Sequence, residues 1–127
     1  MARHGTFYWN ELMTRDVETA KRFYADALEW TFDSMDMAEG GTYWLALSDG
    51  TPVAGILDIG GPDYVGTPEM WFAYIAVDDV DARVRAASVA GAAIVRQPFD
   101  VPMVGRIAIL RQPDGAHVGW MTPSRRT

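Results

Sequence analysis

Two stretches of the chain carry the same order of hydrophobic and polar positions. FYWNELMT, residues 7–14, and MWFAYIAV, residues 70–77, are each aromatic and apolar enough for a strand, although Asn10 and Glu11 weaken the alternation in the first. Each is followed by an aspartate placed to cap a helix, Asp16 and Asp79, which stand 63 positions apart, about half the chain. Past Asp16, the residues Val17, Ala20, Phe23, Tyr24, Ala27 and Leu28 recur at helical spacing, with Glu18 in the first turn, where the helix dipole favours a negative charge. Past Asp79, the residues Val80, Val84, Ala87 and Ala90 form a stripe predicted to be buried before Gly91 stops the helix.

Three strand-like runs follow each helix. In the first half they are Thr31–Asp36, Thr42–Ser48 and residues 52–59, separated by MAEGG and by the Asp49–Gly50 turn signal. In the second half they are residues 93–99, 106–111 and 116–122, broken by VPMVG and by QPDG. Each half therefore reads βαβββ. GGPDYVGTP, residues 60–68, is rich in Gly and Pro, lacks periodicity and reads as the linker. The pattern predicts one domain over residues 1–127 built from two modules, about 6–59 and 69–122.

Composition narrows the chemistry. With 127 residues, 49% of them hydrophobic and 22% charged, the chain is the size of one soluble domain with a real core. It has no cysteine, which excludes disulfides, thiolate zinc sites, iron–sulfur clusters and cysteine nucleophiles. A net charge of −6 argues against nucleic acid as a partner, and the basic SRRT end reads as a frayed tail. No apolar run approaches the roughly 20 residues of a membrane-spanning helix. MARHGTFYW lacks the basic-then-apolar layout of a signal peptide, so a cytoplasmic location and no membrane partner are expected. Ser34, Ser48, Ser88 and Ser124 belong to no nucleophile elbow, and no glycine segment matches a phosphate or dinucleotide fingerprint.

Three longer segments carry a resemblance. LMTRDVETAKRFYADALEW, YIAVDDVDARVRAA and VGRIAILRQPDGAHVGW, the last with its Asp-Gly turn, are similar in order and spacing to the vicinal oxygen chelate superfamily. This is the glyoxalase, bleomycin-resistance and extradiol-dioxygenase group. The resemblance covers nearly the whole chain and implies an α+β fold, the glyoxalase-like fold, in which two βαβββ modules form a curled mixed sheet with a cleft. It also implies a homodimer, the commonest soluble assembly in any case. Such a fold hosts many chemistries, so function is judged at the site.

In the metal enzymes of that group the ligands lie on the first and last strands of each module. The resemblance carries these positions to Trp9 and Phe72, to Gly119, and to Ala54 or Gly55. None of these side chains binds a metal, so the cleft is expected to work without a metal or other cofactor. By strand alternation Trp9 shares a face with Phe7, Glu11 and Met13, Phe72 with Tyr74 and Ala76, and Gly119 with His117. Tyr43 and Trp44 alternate, so one of the two joins this wall, and Trp44 is the candidate carried forward. The ligand-binding candidates are thus Trp9, Met13, Trp44, Phe72, Tyr74 and Arg106. An aromatic wall suits an organic ligand, and carboxylates near it favour a cation.

Glu11 and His117 are the catalytic candidates. A buried Glu11 facing His117 across the cleft can move a proton without a metal. The plainer reading pairs Glu11 with an arginine such as Arg106 and leaves His117 partly exposed. Arg106 either clamps an anionic ligand group or belongs to such a pair. The leading functional expectation is a metal-free binder of a small organic ligand, a cationic aromatic one included. The alternative is a lyase or isomerase of the same superfamily, acting through Glu11 and His117 or through a metal whose ligands are displaced from the positions above. A third reading is an interaction module whose cleft is filled.

Overall fold

The computed structural model describes residues 2–37, 40–101 and 104–124. Parts of the MAEGG and VPMVG loops and the end of the SRRT tail lie outside the described residues. The element order is β1 (Phe7–Thr14), α1 (Val17–Leu28), β2 (Thr31–Asp36), β3 (Thr42–Ser48) and β4 (Thr51–Asp58), then β5 (Met70–Ala76), α2 (Val80–Val89), β6 (Ala93–Val101), β7 (Gly105–Arg111) and β8 (His117–Pro123). This is βαβββ twice, an α+β architecture. A short 3-10 turn, Pro62–Tyr64, lies in the expected linker. Among the described residues no helix is long and apolar enough to cross a membrane.

The chain divides into two compact units, residues 9–72 and residues 1–8 with 73–127. In the first, the strand order is β2-β3-β4-β1. Strands β2, β3 and β4 run antiparallel, whereas β1 joins β4 in parallel with Glu11 opposite Gly55 and Met13 opposite Leu57. The second unit has the order β5-β8-β7-β6, with β5 and β8 parallel and Tyr74 opposite Gly119. A parallel pair needs a long crossover, and in each unit the helix and two further strands supply it.

Local signals set the elements. Asp16 accepts the Thr19 N–H at 3.1 Å and Asp79 accepts the Ala82 N–H at 3.2 Å, which satisfies an otherwise orphaned helical donor in each case. Gly91 takes a positive φ of 103° just past α2. The Gln112–Gly115 turn closes with Gln112 N–H donating to Ala116 O at 2.7 Å.

The helices differ in what they bury. On α2, Val80, Val84 and Ala87 are buried and pack with Val77, Ala108, Leu110 and Val118, with Ile94 and Trp120 at the margin. Ala90, expected in that stripe, is instead the exposed C-cap, because the helical turn ends one residue earlier. On α1 none of the residues is buried, and Phe23 and Leu28 are 59% and 54% exposed. Its amphipathic spacing is present, but the side chains that reach the sheet differ from a simple apolar stripe. The Lys21 ammonium sits 3.4 Å from the centroid of the Trp44 ring and also bonds Glu18 at 3.2 Å.

Candidate functional site

The site begins with the phase of β3. Because Leu45 pairs with Gly55 and Gly55 with Glu11, the residues Tyr43, Leu45, Leu57, Gly55, Glu11, Met13 and Trp9 share one side of the first unit's sheet. Trp44 projects from the opposite side, under Lys21 of α1. Tyr43, not Trp44, is therefore the aromatic residue of β3 that stands with Trp9 and Glu11. This corrects the choice made from sequence, since a step of one along a strand reverses the face.

Three of these residues form a chain of hydrogen bonds. The Trp9 indole Nε1–H donates to Tyr43 Oη at 3.2 Å, and the Tyr43 hydroxyl donates to Glu11 Oε1 at 2.8 Å. Glu11 is only 7% exposed, and Met13 beside it is also buried. Tyr43 starts two strands away from Glu11 and reaches it by lying across β4. Gly55 makes that path open: a Cβ built there would stand 2.8 Å from Tyr43 Cε2 and closer still to the phenolic end of the ring. A glycine inside a strand run is the sequence signal for such a close approach, and it is the one that sequence reasoning passed over.

Residues 9–72 also hold an open depression of about 740 Å³ at the end of the sheet, lined in part by Arg15, Asp16, Glu18, Trp44, Asp58 and Gly60. Its polar groups are occupied by local structure. Arg15 Nη1 bonds Glu69 at 3.0 Å, Asp16 caps α1, and Asp58 accepts the Gly60 N–H at 2.8 Å. The hydrogen bonds from Thr19 hold the Asp16 carboxyl below its usual range, and the Arg15 backbone N–H and side chain do the same for Glu69.

On β5, Phe72, the last residue of the first unit, and Tyr74, in the second, are both buried. Tyr74 is opposite Gly119, and His117, two residues earlier on β8, is exposed opposite Arg111. Arg106 is committed elsewhere. Its Nε and Nη2 bond the two oxygens of Asp81 at 2.7 and 3.1 Å, and its Nη1 bonds Asp100 at 3.1 Å. This double pairing raises the guanidinium pKa further above its usual value, and the hydrogen bonds from Arg106 lower that of Asp81. Arg106 thus ties β7 to the first turn of α2 and to β6, with its fork filled by protein carboxylates. His4 lies in the same unit, where its Nδ1 accepts the Asp78 N–H at 3.1 Å.

The divalent metal implied by the resemblance does not fit these residues. Trp9, Phe72, Gly55 and Gly119 offer no donor side chain, and Glu11 is a single carboxylate already bonded to Tyr43. Among the described residues no group of three His, Cys, Asp or Glu could hold a metal ion.

Comparison with known proteins agrees with the architecture. Residues 6–119 match the family described as Glyoxalase/Bleomycin resistance protein/Dioxygenase superfamily. "Putative glyoxylase CFP32" of Mycobacterium tuberculosis is 37% identical over 94% of this chain and 45% of its own length. The anthracycline biosynthesis protein DnrV of Streptomyces peucetius is 32% identical over 85% of this chain and 43% of its own. The chain thus spans less than half the length of these curated relatives. Among solved structures, a hypothetical protein from Bacillus halodurans superposes with a TM-score of 0.75 at 11% identity, covering 98% of this chain and 99% of that one. A Streptomyces coelicolor methylmalonyl-CoA epimerase in complex with 2-nitronate-propionyl-CoA gives 0.71 at 17% identity, covering 97% and 100%. At such identities the structures establish the fold alone.

Proposed function

The chain belongs to the Glyoxalase/Bleomycin resistance protein/Dioxygenase superfamily, and we propose that within it the protein binds a small organic cation with an aromatic body, without a metal, on the sheet side that carries Trp9, Glu11 and Tyr43. One observation carries this reading: the buried carboxylate of Glu11 is held by the Tyr43 hydroxyl, which in turn accepts the Trp9 indole N–H, on a sheet side that also carries the buried Met13. A cation gains there from the charge and from the ring faces together, and exclusion of water strengthens both. The relative named for anthracycline biosynthesis supports an aromatic ligand, since anthracyclines are polycyclic aromatics.

The test is quenching of tryptophan fluorescence by a panel of planar aromatic amines and their neutral isosteres. Glu11→Gln keeps an acceptor for Tyr43 and removes the charge. It is expected to weaken the cationic members by about tenfold or more while leaving the neutral ones within about twofold, as befits a charge-assisted contact. Equal affinity for charged and neutral members, or cation binding unchanged in Glu11→Gln, overturns the reading.

A second reading is favoured by the same hydroxyl–carboxylate contact and by the relative named as a glyoxylase. Here Glu11 accepts a proton from a carbon acid, as in a metal-independent lyase or isomerase, and Tyr43 holds the carboxylate in place. Turnover of any carbon acid that survives in Glu11→Gln counts against it.

A further inference from the structure

We propose that Asp49 is a site of covalent modification: at the tip of the β3–β4 hairpin its carboxyl closes onto the Gly50 nitrogen, and the ring reopens as isoaspartate. The chain carries two Asp-Gly pairs, Asp49–Gly50 and Asp114–Gly115. A following glycine makes such a pair reactive, because without a Cβ its nitrogen can approach the neighbouring carboxyl. Sequence therefore marks both. The structure separates them.

At Asp114 both reacting groups are held. Its Oδ1 accepts the Gln112 Nε2–H at 3.1 Å and the Ala116 N–H at 3.2 Å, and the Gly115 N–H donates to Gln112 O at 2.9 Å. The first two of these bonds, that of Gln112 foremost, keep the Asp114 carboxyl below its usual range and so in the charged form, which does not close. At Asp49 neither group is held: among the described residues no protein group bonds the Asp49 carboxyl or the Gly50 N–H. Asp49 is also exposed. Ser48 pairs with Thr51, so Asp49 and Gly50 are the entire loop, and both take a positive φ, 52° and 77°, as a two-residue turn of the I′ kind requires. That conformation is disfavoured for a residue with a Cβ, so turning the Asp49 main chain toward ring closure relieves strain.

Water alone balances the chemistry. The Gly50 nitrogen attacks the protonated carboxyl; the Cγ–N bond forms, the Cγ–OH bond breaks, and the proton of the nitrogen leaves with that hydroxyl as water. The product is a five-membered succinimide. Water then adds to one of its two carbonyl carbons and breaks the bond from that carbon to nitrogen. Addition at Cγ restores aspartate. Addition at the main-chain carbon leaves the chain running through Cβ and Cγ, with the α-carboxylate as the new side group. Nothing is oxidised or reduced, and the mass is unchanged. A main-chain carbon has nonetheless entered a loop whose two-residue length sets the register of β3 and β4, the strands that carry Tyr43 and Gly55. The exposed α-carboxylate is the group that an isoaspartyl carboxyl methyltransferase methylates.

The test holds the full chain at mildly acidic pH and body temperature for several weeks and measures isoaspartate at each site. Trypsin separates the two sites, since Arg83 and Arg111 lie between them. Electron-transfer fragmentation of the peptides and methyl transfer by an isoaspartyl methyltransferase supply independent counts. Isoaspartate should accumulate at Asp49 and form at Asp114 at least about tenfold more slowly, since one net hydrogen bond is worth about that factor. In urea, where those bonds are gone, the two rates should converge. Asp49→Asn keeps a pair suited to this turn, loses ammonia in place of water, and should convert faster than the unmodified chain. Equal rates at the two sites of the folded chain overturn the proposal, as does a ratio that persists in urea. So does an Asp49→Asn chain that stays unconverted.

Discussion

Asp16 and Asp79 cap their helices by the same bond to the same relative position, and each helix is followed by three antiparallel strands. Beyond that shared frame the two units use their helices differently. In residues 73–127, α2 presses Val80, Val84 and Ala87 onto β7 and β8 and makes an ordinary core. In residues 9–72, α1 meets its sheet through a lysine over a tryptophan and leaves aromatic rings outside, while the opposite side of that sheet carries the buried Glu11. A repeated pattern therefore dictates the order of elements without dictating which faces are buried. The unit with the conventional core reads as scaffold, and the unit with misplaced polarity holds the candidate chemistry.

The sharpest way to break this contrast is to remove the same kind of group from each unit. Leu110 is 1% exposed within the α2 core. Leu110→Ala should lose about 2–5 kcal/mol, the transfer cost of the missing carbons plus that of the cavity they leave. Phe23→Ala removes more atoms but should cost no more than about 1 kcal/mol, because the residue is 59% exposed and its ring meets Tyr24 only edge-on. Urea unfolding of both variants checks this. A loss at Phe23 comparable with that at Leu110 would mean that α1 is packed like α2.

What the sequence could and could not reveal follows the same division. Caps, turns and the Gly91 stop are local, and Asp16, Asp79, the Gln112–Gly115 turn and the strand positions stood in the pattern almost to the residue. The phase of β3 is not local. Tyr43 and Trp44 are adjacent aromatics, and only the pairing of Leu45 with Gly55 decides which of them stands beside Glu11. Likewise the spacing of Phe23 and Leu28 is that of a buried stripe, and nothing within α1 records that both stay more than half exposed. Arg106 was readable as an arginine at a strand start, but its two carboxylates lie 25 and 6 positions away.

Two glycines refine the comparison. At Gly105, with φ at 151°, an added Cβ would stand 2.9 Å from Pro123 Cα and closer to the Thr122 carbonyl, both backbone atoms of β8. Backbone cannot swing aside, so Gly105→Ala should cost about 1–3 kcal/mol or more by overpacking and strain. At Gly55 the obstacle is the far end of Tyr43, which can rotate away. Gly55→Ala should cost about 1.5–3 kcal/mol, the worth of a hydrogen bond to a buried charged group, because Tyr43 leaves Glu11 when it swings away. The functional readout should separate the two: Gly55→Ala impairs binding of aromatic cations, and Gly105→Ala leaves their affinity unchanged in the folded fraction.

Acid provides the gentlest test. Asp78 accepts two bonds from Arg83, at 2.8 and 2.9 Å, and one from the Asp79 N–H at 2.7 Å. The Arg83 hydrogen bonds, first among these influences, hold its carboxyl far below the ordinary 3.8. In the other unit Asp16 is lowered mainly by the Thr19 hydroxyl. A carboxyl whose folded pKa is depressed contributes stability that is fully present above its unfolded pKa and is lost as pH falls through the folded value. Both contributions should therefore be intact at neutral pH and decline only below about pH 4, the ordinary aspartate range. Because both groups are solvent-exposed, the effect on Tm should be small. Carboxyl carbon NMR resolves it by residue. Arg83→Gln should raise the Asp78 midpoint toward 3.8 and leave Asp16 where it was, since Asp16 owes its lowering to Thr19 and Arg22 rather than to Arg83. If Arg83→Gln moved both midpoints, the lowering of Asp16 would not be local to Thr19 and Arg22, and the cause assigned to it would be wrong.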